Sequence, residues 1–120
     1  MKSKPALKAP LPAIHPGCYV AIALEQLRLS NAQAARILQV SAAYVGDIIN
    51  GKRNLSAAMC FKLAGFIGST PEHWMSLQDQ YDIIIAGRDK RLQVLKDETN
   101  KRFKEYRKDL SASARARIIR

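Results

Sequence analysis

Residues 31–50 read NAQAARILQVSAAYVGDIIN, and the fold turns on how this stretch places its small, apolar and capping residues. Ser30 with Gln33 three positions on is a capping-box pattern, in which hydroxyl and amide satisfy the orphan backbone donors of a helix start. It predicts a helix from about Asn31 to Leu38. Ser41 is a second N-cap, Tyr44, Val45, Ile48 and Ile49 follow on helical spacing, and Asn50-Gly51 is a stop, so a third helix of about ten residues is expected. Two short helices joined by a three- or four-residue turn form a unit whose second member enters the DNA major groove in many proteins. Where the two cross, the earlier helix needs a small side chain, and Ala35 supplies it. Ala34, Leu38, Val40, Val45 and Ile48 fall where the inner face must be apolar.

Outward from this unit the signals stay helical. Upstream, Pro16 suits a first helical position, and Val20, Ala23, Leu24 and Leu27 make one apolar face on a helix reaching about Leu29. Downstream, Ser56 opens a segment carrying Met59, Phe61, Leu63, Ala64 and Ile67 and closed by Gly68. Thr70-Pro71 opens another with Trp74, Leu77, Tyr81 and Ile84. With no β-alternation, the expectation is an all-α chain. Residues 14–86 are its five-helix domain, residues 1–13 a Pro-punctuated flexible arm, and residues 87–120 a basic C-terminal helix and tail. In that last part Leu92, Leu95, Thr99, Phe103, Tyr106 and Leu110 form a narrow apolar stripe, and residues 111–120 are expected to fray.

The 120 residues carry a formal net charge of +10. Residues 1–86 hold eight Lys or Arg against five acids, and residues 87–120 hold twelve against five, so the excess is concentrated at the C-terminus. Such a balance points to a polyanionic partner, with nucleic acid ahead of an anionic membrane. Cys18 and Cys60 lie 42 positions apart with no His or Cys at ligand spacing, which predicts packed thiols in a reduced, cytoplasmic protein with no metal and no cofactor. His15 and His73 lack a carboxylate pattern for a triad, so no catalysis is expected. No apolar run approaches the roughly 20 residues of a membrane span. Trp74, Tyr81 and Ile83-Ile84-Ile85 are expected in the core or in a dimer seam.

Four pieces together carry a family resemblance: His15-Pro16-Gly17, the 31–50 stretch, Asn50-Gly51-Lys52-Arg53, and Thr70-Pro71-Glu72 leading to Trp74, Leu77, Gln78 and Tyr81. Over about residues 14–82 the chain resembles the HigA-type antitoxins, also called the virulence-associated protein I group, within the lambda-repressor-like helix-turn-helix class. The resemblance implies a homodimer that binds the double-stranded operator of its own operon and neutralises a RelE/HigB-like messenger-RNA-cleaving toxin. It places Ser41, Ala42, Ala43, Tyr44 and Asp47 on the helix facing bases or nearby phosphates, and Asn31, Lys52 and Arg53 at the DNA backbone. For Tyr44, a half-buried packing role and a DNA contact both stay open; Asp47 could accept from a cytosine amino group or face away from phosphate.

Two departures bear on this. Gln39 stands where the family's turn usually has Gly, and a non-Gly residue held left-handed costs about 1–2 kcal/mol, so a distorted turn is one expectation. Ala42 and Ala43 replace longer polar side chains, leaving methyl contacts to thymine for direct readout. The alternatives are therefore a stand-alone repressor without a toxin, or a protein-sequestering module with weak operator specificity. The basic C-terminal part lies beyond the resemblance and could be a DNA arm, a toxin-binding helix, a dimerising helix or an unpartnered one.

Overall fold

The computed structural model describes residues 12–118, with side chains as far as residue 112. The expected arm at residues 1–13 therefore lies outside the described residues except at its last two positions. Among the described residues there are seven helices and no strand: α1 Gly17–Leu27, α2 Asn31–Leu38, α3 Ala42–Ile49, α4 Ala57–Phe66, α5 Pro71–Gly87, α6 Lys90–Gln93 and α7 Leu95–Ile118. The chain divides into two compact units between Ile84 and Ile85, inside α5.

In the first unit, side-chain caps set the helix starts. Ser30 makes the full capping box with Gln33; Ser41 Oγ accepts from the Tyr44 N–H, Ser56 Oγ from Met59, and Thr70 Oγ1 from His73. Each such cap is worth about 1 kcal/mol. The helix ends of α1 and α2 share a second device. Arg28 and Gln39 both take the left-handed conformation (φ 58° and 60°), and the next N–H in each case, Leu29 or Val40, donates five residues back, to Leu24 or Ala35. This is the Schellman closure, with an apolar residue turned back towards the core after each reversal. The turn at Gln39 is thus regular and not distorted: its side-chain amide donates to the Arg36 carbonyl (3.0 Å), and Lys62 of α4 donates to the Leu38 carbonyl (2.9 Å), which offsets part of the left-handed cost.

The core takes Val20 and Leu24 from α1, Ala34, Ala35 and Leu38 from α2, Val45 and Ile48 from α3, Leu55 from the following loop, Met59, Cys60 and Leu63 from α4, and Trp74 from α5. Two polar links extend the packing. Buried Gln78 accepts the Leu55 N–H (2.7 Å) and donates to Asp82, and the Trp74 indole N–H donates to the Gly68 carbonyl (3.0 Å). Gly17 is set by contact: a Cβ there would lie 1.8 Å from the Ile48 carbonyl oxygen, so α1 lies directly against the end of α3.

Several expectations need correction. α1 ends at Leu27, which is half-exposed because the reversal at Arg28 hands its place to Leu29. Buried positions on α1 run Gly17, Val20, Leu24, which leaves Cys18 off the stripe and exposed; Cys60 is the packed thiol, and burial, with Asp79 adding, pushes its pKa up. Phe61 points outward from α4, and of the Ile83–Ile85 run Ile83 is 73% exposed and Ile85 40% while Ile84 is half-buried, so Ile83 and Ile85 are not core, and of the two places expected for them the dimer seam is the one left. α3 has eight residues, not about ten.

In the second unit the expected single helix is broken. Asp89 caps the short α6 through the Arg91 N–H and pairs with the Arg91 side chain (2.9 Å), which also holds the Asp89 carboxyl below its usual range. Val94 ends α6, and α7 starts with Asp97 and Glu98 in its first turn, where negative charge complements the helix dipole. Leu92 therefore sits on a different helix from Leu95, Phe103, Tyr106 and Leu110. α7 itself continues to Ile118, through most of the segment expected to fray.

Gly17→Ala should destabilise the fold by about 3 kcal/mol, near the upper end of overpacking costs, because backbone atoms must move. Gly65→Ala, with nothing within 4 Å of its added methyl, should stabilise α4 by up to about 1 kcal/mol. Urea denaturation of both variants checks the pair, and equal midpoints would mean that α1 and α3 do not touch there. Removing residues 88–120 should leave a cooperatively melting helical core, since α5 ends at Gly87. Loss of the helical spectrum would place the domain boundary elsewhere.

Candidate nucleic-acid interface

The N-terminal end of α3 is the most open part of the helix-turn-helix unit. Its cap Ser41 and first residues Ala42 and Ala43 are exposed; Tyr44 and Asp47 are half-buried, and Val45 and Ile48 face the core. This partition follows from the sequence: with apolar side chains at positions 45 and 48, residues 42, 43 and 47 must turn outward or sideways. Ala42 and Ala43 present only methyl groups, so whatever meets them can approach the helix closely.

Tyr44 takes the packing role, with a second partner on its ring. It packs against the core, and the Arg53 guanidinium lies over its ring, 4.3 Å from the centroid. The loop after α3 makes this possible. Gly51 turns left-handed (φ 73°), and the N–H groups of Lys52 and Arg53 both donate to the Asp47 carbonyl (2.8 and 3.2 Å). The chain is thereby folded back against α3, and Arg53 reaches the first turn of the helix it has just left. Lys52 and Arg53 are exposed, and among the described residues neither makes an ion pair within 4 Å, with Asp47 or any other acid.

Asn31 is the first residue of α2, exposed beside its capping box. Its amide nitrogen lies 3.8 Å from where a Cβ on Gly46 would stand, which puts Asn31 next to the middle of α3. The free backbone donors of the α2 start and the positive end of its dipole accompany that amide, an arrangement suited to an anion. The structure thus brings Asn31 to α3 and Arg53 to Tyr44, and leaves Ser41, Ala42 and Ala43 as an open end between caps and core.

Beneath the loop lies a buttress with no assigned role in the sequence. His15 is buried; its Nδ1 accepts the Gly17 N–H (2.9 Å), its ring lies against Gly51, and it meets Tyr81 edge-on at 4.9 Å. Nε2 is buried with no hydrogen-bond partner among the described residues. His15 and Gly17 thus fix the α1 start and support the turn that carries Lys52 and Arg53. The pair stood out in the sequence only as a motif, because contacts spanning 36 or 66 positions leave no local periodicity. Lys62, which secures the helix-turn-helix turn from α4, had no signal at all.

The helix-turn-helix family pattern matches residues 20–74. An addiction module antidote protein of the HigA family from Coxiella burnetii is 38% identical, with a TM-score of 0.66 over 72% of this chain and 95% of its own. The chain belongs to the HigA-type helix-turn-helix family. The antitoxin HigA of Pseudomonas aeruginosa, solved with the higBA promoter, is 33% identical with a TM-score of 0.65, covering 70% of this chain and 92% of that one. Virulence-associated protein A' of Dichelobacter nodosus is 42% identical over 74 residues, which is 61% of this HigA-type chain and 64% of that relative's length. The family pattern ends at Trp74, so α6 and α7 lie outside it.

The Tyr44–Arg53 contact should couple the two residues in stability. A double-mutant cycle with Tyr44→Leu and Arg53→Ala is expected to give a coupling of about 0.5–1 kcal/mol, the range for an exposed cation–π pair. Strict additivity in chemical denaturation would mean that the stacking is not maintained in solution.

Proposed function

We propose that this chain is a DNA-binding antitoxin. It binds the operator of its own operon as a two-fold dimer, and it neutralises a RelE/HigB-like messenger-RNA-cleaving toxin. The observation that carries the DNA part is the open end of α3 with Arg53 folded back over Tyr44 beside it, on a chain 33% identical to an antitoxin solved with its promoter. One helix of eight residues reaches few bases, so operator affinity calls for two copies on half-sites about one helical turn apart. The toxin partner rests on the family alone.

In this scheme Lys52, Arg53 and Asn31 hold phosphates and set the register. Ser41, Ala42 and Ala43 lie closest to the groove floor, where the two methyl groups can meet thymine methyls and the hydroxyl is committed to its cap. Tyr44 supports Arg53 and offers its hydroxyl at the edge of the groove. Asp47 is left to accept from a cytosine amino group.

The test separates charge from readout. Changing Lys52 and Arg53 to Ala should reduce the salt slope of log affinity by roughly 2 units per chain and about 4 in a dimer, alike on promoter and random duplex. Asp47→Ala should instead shift preference between sequences by about 1–3 kcal/mol with the slope unchanged. Equal losses on both duplexes for all variants would reject direct readout and favour the sequestering alternative. A monomer in light scattering at tens of micromolar would reject the dimer. For the toxin, the chain purified from native extract should bring down a small RNase; its absence leaves a stand-alone repressor.

A further inference from the structure

α7 carries eight Lys or Arg against four acids between Leu95 and Ile118, and it lies beyond the part of the chain matched to the helix-turn-helix family. Its two faces differ. Leu95, Phe103, Tyr106 and Leu110 form one apolar row, between 43% and 63% exposed. Lys104, Arg107, Lys108 and Ser111, at spacings of three and four, line a shallow groove, and on its other side Lys104 and Lys108 adjoin Asp97, Lys101 and Glu105. Among the described residues none of these three cations makes an ion pair within 4 Å. The Arg107 guanidinium lies 5.4 Å over the Phe103 ring, so it is braced on an aromatic side chain as Arg53 is on Tyr44.

Resting on the operator-binding function proposed above, we infer that Lys104, Arg107 and Lys108 form a second contact surface for the phosphate backbone of duplex DNA. Three unpaired cations and a hydroxyl within two helical turns suit a polymer carrying one negative charge per about 1.7 Å. A braced guanidinium keeps its fork of donors available for a phosphate. The chemistry reads charge and not base sequence, so it adds affinity on any duplex while α3 discriminates.

An anionic lipid surface is the competing polyanion, and helix geometry argues against it. At 100° per residue, Arg107 lies roughly 80° from the centre of the apolar row, but Lys104 and Lys108 lie roughly 140° and 180° from it. A bilayer that took up the apolar row would therefore leave both lysines in water, away from the headgroups. Duplex DNA needs no apolar contact, so it can use the cationic groove whatever covers the other face.

The experiment compares the full chain with the variant Lys104→Gln, Arg107→Gln, Lys108→Gln on its own promoter and on random duplex, between 50 and 200 mM salt. Circular dichroism checks that the helix content is kept. The wild-type affinity should fall over that range by about 40-fold more than the variant's for each chain that engages, the effect of three phosphate contacts at a slope of about 0.9 each. The difference should be the same on both duplexes. An unchanged slope on both overturns the inference, as does an unchanged slope together with lost binding to phosphatidylserine vesicles, which would assign the groove to lipid. If the wild-type chain shows no preference for its promoter, the operator function fails, while the slope difference on random duplex still decides the cationic groove.

Discussion

The approach of Gly17 to the Ile48 carbonyl is the constraint on which the rest of the first unit depends. With no Cβ at position 17, α1 can close on the last turn of α3, which buries Val45 and Ile48 and fixes which side of α3 faces solvent. His15 takes the Gly17 N–H and lies under Gly51, so the same contact supports the loop that returns Arg53 to Tyr44. Any larger residue at 17 would lift a helix and loosen a loop together. Core packing and the candidate interface are therefore set by one close contact.

Much of this was legible from local chemistry. Ser30 with Gln33, Ser41, Ser56 and Thr70 each form the cap that their spacing announced, and the helix starts that follow agree with the predicted ones. Ala34, Ala35, Leu38, Val45 and Ile48 are all buried because periodicity and cross-helix packing demand the same positions. Helix ends were less legible. Leu27 fits the apolar period yet is exposed, because a reversal at Arg28 depends on backbone conformation and not on side-chain polarity. The break at Val94 was hidden for the same reason: the apolar row runs through it unchanged.

The candidate site shows the same division. That Asn31, Lys52 and Arg53 are exposed beside α3 could be anticipated from their positions around it. That Arg53 stacks on Tyr44, or that Lys62 secures the α2 carboxyl end, could not, since each depends on a tertiary reversal. Tyr44 was posed as either packing or contact. The ring packs against the core with a guanidinium above it, which answers the packing half and adds a partner that neither alternative named.

The two reversals at Arg28 and Gln39 have a consequence for how the sequence can vary. Each places a β-carbon in a conformation that glycine would enter freely, so the chain holds about 1–2 kcal/mol of unrealised stability at each position. A protein so placed is away from its stability optimum, with simple single-residue routes upward. At position 39 that route has a local cost, because glycine would remove the amide that donates to Arg36. At position 28 no comparable side-chain bond opposes the change, which makes that helix end the freer of the two to drift.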